Sequence, residues 1–199
     1  MLAAALCAVL VASLATAGAR SRRIAWGSDL RATARSLIHK RFAADAEFWN
    51  TALGGSAARG VRHTVAAPRN GKVVAMKLKT GDQSRAISIR ISVIRRAGGN
   101  RFVVVTTSTP HWTLPAHSPG VHTFSTRGLS FQIPLERGDL VALSTPGVHS
   151  STSVWYGSVG GSTTDLFSAR GPTQNQGFTW TGSRRPGVEL LLQVIEQPS

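Results

Sequence analysis

The sequence predicts an all-β fold: an antiparallel two-sheet β-sandwich, jelly-roll-like in its connections, with about nine or ten strands. Three observations predict it. From about residue 61 onward apolar side chains recur with a period of two, the mark of half-buried strands, and not with the 3.6 of a helix. The 20 Gly and nine Pro break the apolar runs at regular intervals. No helical pattern lies between the runs, which argues against a parallel α/β sheet. The 199 residues are 42% hydrophobic with a mean hydropathy near zero and only 16% charged. That suffices for one cored domain and excludes a disordered polyelectrolyte. No repeat of constant period is visible, so a solenoid or propeller is not expected.

Residues 1–19 form an Ala/Leu/Val run with no charged side chain, ending in Ala15-Thr16-Ala17-Gly18-Ala19. Small residues at these spacings read as the cleavage site of a signal peptide. The only cysteine, Cys7, belongs to this run. Cleavage after Ala17 or Ala19 leaves a domain with no disulfide, thiol nucleophile or thiolate metal site. No basic residue precedes the run, whereas Arg20, Arg22 and Arg23 follow it, the reverse of the usual bias. A start further upstream or retention as an anchor therefore remains open. After cleavage no stable membrane span is expected, since the rest of the chain carries no apolar stretch of that length.

Residues 20–60 read as a basic N-terminal segment of the same domain. Residues 31–43 are expected to be a loop or short helix. The stretches around Trp26 and Trp49 read as short strands that pack aromatic rings onto the sandwich, because exposed Trp is costly. Residues 61–199 are read as the sandwich core. Asn70-Gly71 turns the chain into 73–79, where Val74, Met76 and Leu78 share a face. In 86–94, Ile87, Ile89, Ile91 and Val93 face inward, and Ser88, Arg90 and Ser92 face water. Strands follow at 102–107, 122–126 and 129–135, the last with Leu129, Phe131, Ile133 and Leu135 inward. Glu136-Arg137-Gly138-Asp139 reads as a turn into 140–143. Runs at 154–159, 178–181 and 188–195 complete the expected set.

Four stretches then come together in order: Trp26-Gly27-Ser28-Asp29-Leu30, 44–53 with Phe48-Trp49-Asn50-Thr51, Ala67-Pro68-Arg69-Asn70-Gly71, and Glu136-Arg137-Gly138-Asp139. With them the chain resembles a family of uncharacterised secreted bacterial β-sandwich proteins with no assigned function. The resemblance implies secretion and one domain, and it brings no catalytic residues. The basic stretch between Arg31 and Arg41 departs from the more neutral segment it would imply.

The sequence excludes several enzyme classes, for it carries no Gly-x-Ser-x-Gly elbow, P-loop or dinucleotide glycine fingerprint. His111, His117 and His122 fall in or beside one Pro-containing loop. Their spacing matches no metal motif, so neither a metal nor a cofactor is expected. Trp112, in the same loop, is the aromatic best placed to stack on a sugar, and with the three histidines it makes up the candidate ligand site. A glycan hydrolase would need two carboxylates in a cleft, drawn from Asp45, Glu47, Glu136 and Asp139. The tripeptide Arg137-Gly138-Asp139 is sufficiently explained by its turn. The 23 Lys+Arg against 9 Asp+Glu give a net charge of +14. This excess suits anionic polymers of a cell envelope or an extracellular polysaccharide. The bases are spread along the chain without interleaved aromatics, so specific nucleic-acid binding is not expected. The expected protein is a secreted or cell-envelope-associated, non-enzymatic polyanion or polysaccharide binder. The alternatives are a glycan-acting hydrolase and a purely structural envelope protein.

Overall fold

The computed structural model describes residues 22–36, 46–56, 58–107, 112–127, 132–145, 155–168, 177–180 and 183–199. Among them there is no helix, and the strands fall into two sheets. The six-stranded sheet contains β1 (Ile24–Gly27), β4 (Val61–Arg62), β5 (Gly71–Thr80), β9 (Gly120–Ser125), β10 (Ile133–Leu135) and β15 (Leu192–Pro198). Its order is β10-β5-β15-β1-β4, with β9 also on β5. The nine-stranded sheet contains β2 (Arg35–Ser36), β3 (Ala46–Ala52), β6 (Ile87–Arg96), β7 (Arg101–Thr107), β8 (Trp112–Leu114), β11 (Leu140–Thr145), β12 (Trp155–Ser168), β13 (Gly177–Thr179) and β14 (Ser183–Leu190). Its order is β13-β7-β6-β11-β3-β12-β14, with β2 on β12 and β8 on β6. The β1–β4 pair is parallel, and long neighbours such as β5–β15 and β6–β11 are antiparallel.

Period-two patterning builds the core that both sheets share. From the nine-stranded sheet come Phe48, Ile89, Ile91, Val93, Val141 and Leu143, and from the six-stranded sheet Trp26, Met76, Leu78, Ile133 and Val194, all in one buried cluster. The all-β, two-sheet expectation therefore holds. The expected nine or ten strands do not: fifteen are present among the described residues. Two physical reasons account for the excess. β2, β4, β8, β10 and β13 have only two or three residues, too few to show any periodicity. The apolar run 188–195, read as one strand, changes sheets at Leu191, with Leu190 on β14 and Leu192 on β15.

Three local expectations also change. Val73, not Val74, is buried with Met76 and Leu78. On β5 Ala75 pairs with Ile195 and Val73 with Glu196, so Val74 is an extra residue, a β-bulge that resets which side chain points inward. Ser92, expected in water, is fully buried. It shares the outer face of the nine-stranded sheet with a second cluster of Trp49, Ile94, Phe102, Val104, Leu140 and Ala142, against which Val65, Ala66, Phe178 and Trp180 pack. Arg35–Ser36, within the expected loop or short helix, is a strand paired with β12; positions 37–43 lie outside the described residues, as do 128–131. Trp26 and Trp49 are buried as expected, but β3 is an inner strand between β11 and β12 and not an appended one.

Candidate functional site

Of the sequence-flagged loop residues, His111 lies outside the described residues. Trp112 is half-buried on β8, opposite Ile89 of β6, with its ring centroid 5.9 Å from that of Phe124. His122 stacks on the same Phe124 at 6.3 Å, and its Nε2 lies 2.7 Å from the Ser118 carbonyl oxygen. The structure thus brings Trp112 and His122 together through Phe124. His117 stands apart. It is exposed, with Nδ1 3.4 Å from the Asp82 carboxylate, in a left-handed backbone conformation with φ of 50°. Among the described residues no group of three His, Cys, Asp or Glu side chains could hold a metal ion.

The carboxylates are used inside the fold. Asp139 is buried and binds Arg95 through both oxygens, with Nε at 2.7 Å and Nη2 at 3.0 Å. It also accepts the Glu136 backbone N–H at 2.8 Å. These bonds raise the Arg95 pKa above its usual value, the Asp139 hydrogen bond contributing most. The Arg-Gly-Asp tripeptide is therefore a braced turn, with Gly138 at a φ of 95° where a side chain would be strained. Glu47 accepts the Ser92 hydroxyl at 3.1 Å. Asp165 is held by Arg184, whose guanidinium lies 5.1 Å over the Trp180 ring. Ser162 donates to Glu189 at 2.6 Å, and Trp26 Nε1 donates to Glu196 at 3.0 Å. Burial raises the Glu196 pKa, opposed by the Trp26 hydrogen bond and by the charges of Arg69 and Arg62. Asp45 lies outside the described residues.

Five of the eight described carboxylates (Glu47, Asp139, Asp165, Glu189 and Glu196) are thus buried, whereas none of the described Lys or Arg residues is. The outer surface is more cationic than the net charge alone implies. The unequal burial follows from side-chain length. A short carboxylate is satisfied within the fold by nearby donors, while Arg and Lys stems reach water.

The bulge in β5 shapes an open concavity. β15 runs along one edge of β5 from Gly71 to Leu78. The other edge is shared end to end, β10 pairing with 71–73 and β9 with 75–80. Thr126 closes the junction, its N–H donating to Val74 O at 3.0 Å and its Oγ1 to Val73 O at 2.9 Å. Over this break lies a trough of about 600 Å³. Val74, Ala75 and Ile195 line it with apolar surface, and Arg23, Lys72 and Arg127 supply three cations. Among the described residues that line it there is no carboxylate and no aromatic ring, and none of the three cations forms an ion pair with a described residue. Sequence reasoning missed this trough because the cations come from the approach to β1, from β5 and from the turn after β9.

No family model matches the chain, and no curated protein does. No helix among the described residues is long and apolar enough to cross a membrane.

Proposed function

We propose that the chain is a secreted, non-enzymatic β-sandwich of jelly-roll-like topology that associates with anionic polymers of the cell envelope or of an extracellular polysaccharide. The observation that carries this reading is the unequal burial of charge: carboxylates turned inward, cations outward. Such a surface attracts polyanions over a Debye length, about 8–10 Å near physiological salt. The hydrolase alternative gains no support from the described carboxylates. Glu136 and Asp139 share Arg95. Glu47 sits opposite Ser144, at the far end of β11 from Asp139. That is roughly 17 Å of strand at 3.3–3.4 Å per residue, well beyond the about 5–9.5 Å between catalytic carboxyls.

Cosedimentation with cell-wall polysaccharide at low and high salt, using the mature domain and its Trp112→Ala variant, tests the reading. Binding that high salt abolishes and Trp112→Ala leaves unchanged assigns association to charge. A salt-resistant part lost in the variant adds stacking at the Trp112–Phe124 pair. No binding at either salt overturns the proposal in favour of a purely structural envelope protein.

A further inference from the structure

The trough over the β5 bulge is more than part of a cationic surface. We propose that it is a defined binding site for a segment of acidic polysaccharide, carboxylated or sulfated, with Arg23, Lys72 and Arg127 engaging the anionic groups. This deepens the reading above and rests on it. Three features support the assignment.

The first is that the cations are uncommitted. Elsewhere Arg31, Arg95 and Arg184 are paired with carboxylates, and the Lys79 ammonium donates to the Leu30 carbonyl at 3.0 Å. The three trough cations have no such partner among the described residues, so a ligand anion would displace nothing.

The second is the neutral lining. Thr123, Ser125, Gln132 and Gln197 place hydroxyl and carboxamide groups in the trough, complementary to sugar hydroxyls. The Ser125 hydroxyl accepts the Arg127 N–H at 3.0 Å and holds the base of that side chain in place.

The third is that the described residues of the lining include no aromatic ring. Single-stranded nucleic acid is gripped by aromatic platforms on which its bases stack, and the described lining offers none. A volume near 600 Å³ falls within the range of small-molecule sites, about 300–1,000 Å³.

The test is calorimetric titration of the mature domain with a hexamer of galacturonate and with a heparin-derived hexasaccharide. Maltohexaose serves as the neutral control, and single-stranded DNA of matched charge as the competing class. The variant Arg23→Ser/Lys72→Ser/Arg127→Ser is compared with Arg59→Ser/Arg85→Ser/Arg101→Ser, which removes the same charge from exposed positions outside the trough. The expected result is a loss of about tenfold or more in acidic-oligosaccharide affinity for the trough variant, as for hydrogen bonds to charged groups. The control variant should change about twofold, and maltohexaose should not bind. Equal losses in both variants would overturn the trough and leave general polyanion attraction standing. Tighter, trough-dependent binding of DNA would overturn the sugar assignment. Failure of every polyanion to bind would overturn both readings. The preference between the galacturonate and heparin oligomers identifies the anionic group.

Discussion

Asp139 shows how a single side chain decides what a motif means. Its carboxylate joins β6 to the turn before β11 through Arg95 and the Glu136 N–H. Asp139→Ala should therefore destabilise the fold by about 1–3 kcal/mol in urea titrations, since charged hydrogen bonds to a buried acceptor are lost. Arg137→Ala, at an exposed turn position, should change stability by less than about 0.5 kcal/mol. An equal effect of both would contradict the braced-turn account. Glu196 makes a pH prediction. Its carboxyl pKa is raised in the fold, chiefly by burial. The stability it contributes is therefore complete below the ordinary value of 4.5 and is lost as pH rises through the higher folded value. Glu196→Gln still accepts from Trp26 and cannot ionise, so its melting temperature should fall less than that of the parent between acidic and neutral pH. Parallel melting curves would contradict the assignment. From sequence, Glu136 to Asp139 was legible as a turn because Gly138 and its neighbours are turn formers. The burial of Asp139 and Glu196 was not, because it depends on partners far away in the chain.

At the scale of elements, what the sequence made legible was periodicity, and what it hid was interruption. Ile89, Ile91 and Val93 alternate as expected and are buried. The Val74 bulge and the change of sheet at Leu191 leave an apolar pattern intact while altering what it packs against. The same holds for β12, whose pairing with β14 breaks between Ser158 and Thr163. There Gly160 turns against Gly54. A Cβ on Gly54 would lie 1.8 Å from the Gly160 carbonyl oxygen, and its N–H donates to Ser162 Oγ at 2.6 Å. Gly54→Ala should cost about 2–4 kcal/mol, the large end for one replacement, measured by denaturant unfolding. A neutral result would mean that the β12 excursion is loosely held. On the outer face, Trp49→Ala should cost about 3–5 kcal/mol, as for other buried aromatic truncations, because Phe102 and Phe178 pack directly on its ring.

For the whole molecule, the basic excess was legible from composition, but its direction was not. Counting residues gives +14, and the fold then hides most of the described carboxylates and none of the described cations. Trp112, chosen from sequence for its loop context, is half-buried against Phe124, while Arg23, Lys72 and Arg127 converge only through tertiary structure. No linear spacing could have joined them. Outward cations should attract a polyanion, and the measurement that tests this first is the affinity of the protein for polygalacturonate across a series of NaCl concentrations. The expected result is binding that weakens steeply and steadily as salt rises, as screening requires. Binding indifferent to salt, or no binding at the lowest salt, would contradict it.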